Sequence, residues 1–434
     1  MSLPTGARNL LVFALFLVSG ACGLIYEVLW SKQLGLIFGN TVQSMSAVLT
    51  AFMGGLALGS FFAGRMIHRF KRPLLAYGVL EIIIGLYCAL LPWFFSNTGP
   101  VAGIYRALYT ESGSPALAVA RFAISFMLLL IPTTFMGATL PLLSQFLVSS
   151  RKTLGRTVGA LYAINSFGAV LGAAGTGFFL LPMFGKLNTN WIAVACNLTL
   201  GIAAIVLGRN VTATHSATEH AAEAAAENTQ TPQAPVSSAG LKAAVITFGV
   251  TGFAAMAMQI GWTRAISLAT GSSTYAFSLI VSVFILGLSF GGFWGARQAS
   301  RVVDPLAALG RTLLLIALAS LVVTALLGVA PTAFFFIMSW SSERWALQQF
   351  LEALAIGALI FVPTFFMGAT TPLTMQVAAR SGENTGRVVG TVYAVNTVGA
   401  ILGSFLGGTL LLPYLQIQST LELMALLYAV PGLI

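Results

Sequence analysis

Five stretches in the first half of the chain are apolar over enough residues to cross the ~30 Å hydrocarbon layer of a bilayer as helices: Leu10 to Trp30, Val42 to Gly64, Leu74 to Phe95, Phe122 to Val148 and Trp191 to Leu207. That layer holds no water for backbone N–H and C=O groups, so only helices or a closed β-barrel can satisfy them. The alternating segments of barrel strands are not seen. Composition agrees, with 57% of the 434 residues hydrophobic and 7% charged, where a soluble domain has roughly a quarter charged. The expected fold is all-α and integral to the membrane, with about twelve transmembrane helices.

The formal net charge of +10 does not point to nucleic acid, because the basic residues are dispersed over short loops and form no soluble basic face. The partner expected instead is the lipid bilayer. With both termini cytoplasmic, fifteen of the 21 Lys and Arg fall on the cytoplasmic side, which is the positive-inside pattern. Cys22, Cys88 and Cys196 fall within apolar spans, where a thiol behaves as a small hydrophobe. No disulfide framework is indicated. His68, His215 and His220 are too scattered to hold a metal, and neither cofactor nor catalytic constellation is expected.

The polar stretch Arg209 to Gly240 lacks apolar periodicity and reads as a solvated linker between two halves, residues 1–208 and 241–434. The halves match each other. PTTFMGATLPLLSQ at Pro132 to Gln145 returns as PTFFMGATTPLTMQ at Pro363 to Gln376, an offset of 231 that also pairs Tyr162 and Asn165 with Tyr393 and Asn396. An offset of 232 aligns Gly20, Trp30, Phe52, Gly55 and Gly59 with Gly252, Trp262, Phe284, Gly287 and Gly291. Six spans is an even number, so both copies enter the membrane from the same side and the repeat is parallel.

The loop Gly64-Arg-Met-Ile-His-Arg-Phe-Lys-Arg-Pro73 resembles the major facilitator signature, with His68 where that signature has an acid. More specific are SGACGLIYEVLWSKQLGLIFG at Ser19 to Gly39, AFMGGLALGS at Ala51 to Ser60, and the doubled PTxFMGATxP and GxxYAxNxxGAxLG blocks. Together they look like the membrane domain of the fused major facilitator/spermidine synthase-like proteins of bacteria, over essentially the whole chain. The resemblance implies a bacterial inner-membrane protein of major facilitator-like fold that moves a small charged solute, a polyamine or related metabolite. The alternative is a membrane scaffold presenting substrate to a soluble synthase-like aminopropyltransferase or methyltransferase domain. No glycine-rich nucleotide-binding turn occurs up to Ile434, so this chain alone is not expected to be an enzyme.

Ionisable groups within spans cost about 2.5 kcal/mol or more at the bilayer centre, which makes each a functional candidate. Glu27 and Lys32 lie in the first span, and their repeat counterparts are Gln259 and Arg264. Arg121 has the oppositely charged Glu352 as its counterpart, which suggests an ion pair closing the outer mouth of a cavity. The resemblance implies that these spans line that cavity; the alternative is a set of interfacial anchors. Glu27 is expected to face inward and pair with a base. Lys32 stands 140° away on an ideal helix, so Arg264 is the better partner unless the span breaks. Glu81 is expected to pair with a loop arginine.

Two prolines bracket a glycine in each of the doubled PTxFMGATxP blocks, and each proline frees a backbone carbonyl one turn earlier. Such interrupted spans mark a midplane binding site, with hydroxyls from Thr133, Thr139, Thr364 and Thr370, or else a packing kink. Tyr162 with Asn165, and Tyr393 with Asn396, are three apart and share a helix face, suited to interhelical hydrogen bonds or to a site. The glycine pairs allow close backbone approach.

Overall fold

The structure, a computed structural model, describes residues 5–433 other than 39–41, 67–68, 97–98, 109–114, 148–150, 210–235, 272–273, 300, 342–343 and 381–384. His68, His215, His220 and most of the linker therefore lie outside the described residues. Regular structure among the described residues is helical. The first half gives α1 (Thr5–Phe38), α2 (Val42–Met66), α3 (Pro73–Phe94), α4 (Pro100–Leu108), α5 (Pro115–Leu147), α6 (Arg151–Gly175) and α7 (Leu181–Gly208). The second gives α8 (Ser238–Thr270), α9 (Thr274–Ala299), α10 (Pro305–Leu327), α11 (Ala330–Trp340), α12 (Trp345–Ala379), α13 (Thr385–Leu406) and α14 (Leu412–Leu433).

Ten helical stretches are long and apolar enough to cross a bilayer. Two of them, Gly159–Gly208 with 50 residues and Thr391–Leu433 with 43, exceed what one crossing needs by about a factor of two. Each is broken at an equivalent place, where Gly185 takes φ +71° and Gln416 takes φ +64°. Divided there, the two stretches supply two crossings each, and the total is the twelve that the sequence predicts. A π-helical turn precedes each break, at Thr176–Leu180 and Gly407–Leu411.

Packing divides the chain into two compact units: Met1–Gln33 with Ala51–Pro232, and Leu34–Thr50 with Gln233–Ile434. The end of α1 and the start of α2 are thus counted with the second unit, where Ser46 donates to the Ser404 carbonyl and the Thr50 and Ser404 hydroxyls share a 2.8 Å hydrogen bond.

Each unit is held by the same contacts. In the first, α2 lies so close to α5 that a Cβ at Gly59 would collide with the Thr134 carbonyl; in the second, Gly291 stands against the Phe365 carbonyl in the same way. The glycine spacing seen in the sequence therefore acts as a backbone contact surface. Trp30 packs on Phe52 at 6.5 Å between ring centroids, and Trp262 on Phe284 at 6.4 Å. Arg65 and Arg297, in the last turns of α2 and α9, lie over Phe61 and Phe293 at 4.1 and 3.8 Å, as interfacial arginines do when the charge reaches for water and the stem stays in lipid. Phe62, Leu86, Trp191, Phe290 and Leu318 are half-exposed or more, the surface expected of a body solvated by acyl chains.

Candidate solute site

One turn of α1 carries the densest set of unsatisfied polar groups in the first unit. Glu27 is 3% exposed and has no hydrogen bond or ion pair among the described residues of its unit. Trp30 is fully buried with its indole N–H unpaired, and the hydroxyl of Ser31 is also buried without a partner. Tyr26 stacks on Trp30 at 5.6 Å and closes one side of this turn. Of the two bases named from the sequence, Lys32 is not the partner of Glu27, because α1 runs unbroken from Thr5 to Phe38 and keeps the two side chains on different faces. Lys32 is half-buried.

The second unit repeats the arrangement with different chemistry. Gln259 is buried at the position equivalent to Glu27, and Trp262, equivalent to Trp30, likewise has a buried, unpaired indole N–H. The hydroxyls of Ser278 and Ser282 on α9 are buried without partners. Glu352 on α12 is 4% exposed and accepts from Gln348 at 2.9 Å and Gln349 at 3.5 Å, both in its own helix. The other amide atom of Gln349, Oε1, is left unpaired. Arg264 is half-buried. The side chain of Arg121 lies outside the described residues.

Buried polar atoms in native proteins are nearly always hydrogen-bonded, so repeated orphans at equivalent positions of two units are places where something else completes the bonding. Among the described residues, the buried acid and base side chains are Glu27, Glu81 and Glu352, and no lysine or arginine is buried with them. The five charges grouped from the sequence are thus of two kinds: buried acids and half-buried bases.

The proline blocks resolve differently from a row of solute-binding hydroxyls. Thr133 donates to the Leu129 carbonyl at 2.7 Å and Thr364 to that of Ile360 at 2.8 Å, within their own helices. Thr139 and Thr370 likewise bond back to Met136 and Met367. In the first unit the freed carbonyls find side chains on other helices. Leu128, four residues before Pro132, accepts from Tyr87 at 3.0 Å; Gly137, four before Pro141, accepts from Ser60 at 2.8 Å.

Asn165 donates to the Phe16 carbonyl at 3.1 Å and Asn396 to that of Phe248 at 2.7 Å, tying α6 to α1 and α13 to α8. These are the interhelical bonds that the spacing suggests. Tyr162 and Tyr393, 57% and 51% exposed, remain on the open faces of those helices.

Glu81 does not pair with a loop arginine. It is fully buried on α3, accepting from Ser19 on α1 at 2.6 Å and from Asn197 on α7 at 2.5 Å. Asn197 in turn accepts from Tyr26 at 3.1 Å. This four-residue network joins three helices and approaches the Glu27 turn through Tyr26. The three cysteines gather beside it, with the thiols of Cys22 and Cys196 in contact. Sequence reasoning missed this network, although one signal was present: Glu81 and Asn197 bring a carboxyl and an amide where the second half has only the hydroxyls of Thr312 and Tyr428.

A sequence profile of the Major Facilitator Superfamily matches residues 11–404. The chain belongs to that superfamily. Its fold is similar to the crystal structure of a bacterial homolog of the human lysosomal transporter Spinster in an inward-facing, unoccupied conformation, with a TM-score of 0.56 and 12% identity over 98% of this chain and 96% of that one. Among curated proteins it is similar to polyamine aminopropyltransferases 1 and 2 of Streptomyces coelicolor, 29% identical over 203 residues and 30% over 212. It is also similar to the polyamine aminopropyltransferase of Mycobacterium tuberculosis, 26% identical over 197 residues. These matches cover 46%, 47% and 44% of this chain, which spans about a third of the length of those relatives, 34% to 35%.

Proposed function

We propose that this superfamily member is a secondary transporter of small amine cations, with polyamines as the substrate class, built as two six-span repeats, residues 1–208 and 241–434, about a cytoplasmic linker. The observation that carries this reading is the sign of the buried charge: Glu27, Glu81 and Glu352 are buried and, among the described residues, no base is buried with them. A carboxylate left without a cation in a low-dielectric interior is costly, and an ammonium group of a solute removes that cost. Glu27 is such an acid in the first unit and Glu352 in the second. The names of the aminopropyltransferase relatives point to the same class of solute.

The test is uptake of labelled spermidine into liposomes containing the purified chain. Saturable uptake is expected, reduced tenfold or more by Glu27→Gln or Glu352→Gln. Absence of flux, or equal flux of an anionic solute, would overturn the reading. A second reading, a membrane domain that presents amines to an aminopropyltransferase, is favoured by those same names; it predicts spermidine binding without flux. The basic residues support an inner-membrane location with both termini inside, which thiol labelling of cysteines introduced into the linker would check from either face.

A further inference from the structure

The ends of α1 and α3 and the leg of α7 that begins after Gly185 enclose a cavity of about 230 Å³ in the first unit, lined by Leu29, Gln33, Pro92, Lys186, Leu187 and Asn190. At ~30 Å³ per water this is space for several waters or one compact polar group. Asn190 is 5% exposed, and its Nδ2 donates to the Cys88 carbonyl at 3.1 Å, which fixes the amide at the cavity wall. Lys186 lines the cavity, Lys32 on α1 is half-buried, and neither has an acidic partner among the described residues of its unit. A lysine in the wall of a cavity that also presents two amide side chains attracts negative charge.

The second unit shows that the fold does not require this cavity. The residues equivalent to Leu29, Gln33, Lys186 and Asn190 are Gly261, Ala265, Ile417 and Leu421. There, Leu421 fills the space against Gly261, where an added Cβ would stand 2.9 Å from its Cδ2. Ile417 packs on the cluster of Leu49, Ile260 and Leu412. At these four positions the second unit has no polar side chain, whereas the first has Gln33, Lys186 and Asn190; Lys32 alone keeps a basic counterpart, Arg264.

We propose that the cavity binds an anionic phosphoester, its phosphate at Lys186, with its oxygens within reach of the amides of Gln33 and Asn190 and with the positive charge of Lys32 on α1 adding to the attraction. The cavity sits where three spans end, so a lipid headgroup of the phosphatidylglycerol type and a soluble phosphoester share the chemistry that it selects. The inference concerns a different face of α1 from the Glu27 turn and does not depend on which solute is carried. Native mass spectrometry of the purified full chain, incubated with phosphatidylglycerol or phosphatidylcholine, tests it directly. About tenfold greater retention of phosphatidylglycerol is expected. That preference should be lost in the double variant Lys32→Gln/Lys186→Gln and in Asn190→Leu, which copies the second unit. Displacement by millimolar glycerol 3-phosphate, or binding of that compound alone, would assign the site to a soluble phosphoester. Equal retention of the two lipids with no binding of glycerol 3-phosphate would overturn the proposal, as would a lysine double variant that retains as much as the unaltered chain.

Discussion

Where Glu81 accepts hydrogen bonds from Ser19 and Asn197 in the first unit, the second has Thr312, whose hydroxyl bonds back to the Ala308 carbonyl of its own helix at 2.8 Å. Where Asn197 stands in the first, the second has Tyr428, whose phenol donates to the Thr251 carbonyl at 3.0 Å. Two units with the same glycine contacts and the same tryptophan pairs therefore join their first, third and last long helices by different means. One uses a carboxyl group shared among three helices, the other a single phenol-to-carbonyl bond. The backbone arrangement is indifferent to which is used, so the buried acid is an addition to the fold and not a condition of it. The proline carbonyls make the same point, since Tyr87 and Ser60 serve the first unit while Leu318 and Gly292 occupy the equivalent positions in the second.

Removing each connection in turn measures that difference. Asn197→Leu deprives both Glu81 and Tyr26 of a partner in a fully buried site and should destabilise the protein by about 3 kcal/mol, read from unfolding in mixed micelles. Tyr428→Phe, at the equivalent position, removes one neutral bond and should cost about 1 kcal/mol. Equal losses would mean that the two units are held alike after all. The shared contacts should respond equally: Gly59→Ala and Gly291→Ala each force a methyl group against a backbone carbonyl and should each cost about 2 kcal/mol. The smallest effect is a gain. A Cβ at Gly292 would meet only the Gly368 carbonyl, at 3.7 Å, so Gly292→Ser can reproduce the bond that Ser60 makes to Gly137 and should add about 0.5 kcal/mol to stability.

What the sequence discloses is whatever repeats. The offset of Trp30 from Trp262, and of Gly59 from Gly291, locates the helix contacts of both units, because a close approach imposes the same small residue each time. The asparagines at 165 and 396 are legible for the same reason. Features belonging to one unit alone are hidden, since their partners are remote in the chain: Glu81 is 62 residues from Ser19 and 116 from Asn197. Nothing local to α3 announces those contacts. The freed proline carbonyls mislead in a related way. A nearby threonine is an obvious candidate on paper, but in each helix its hydroxyl is already bonded to a carbonyl of its own turn, and Tyr87 reaches Leu128 from α3.

The one-signed buried charge has an electrical consequence. Moving one elementary charge across a membrane potential of 100 mV involves about 2.3 kcal/mol. On the function proposed above, buried carboxylates such as Glu27 and Glu352 would travel with the access change and offset the charge of the cargo. The occupied carrier then reorients with little net charge displaced, whereas the empty one, bearing uncompensated acids, is the form whose return the voltage opposes or assists. Currents recorded from reconstituted protein should accordingly be governed by the step without cargo.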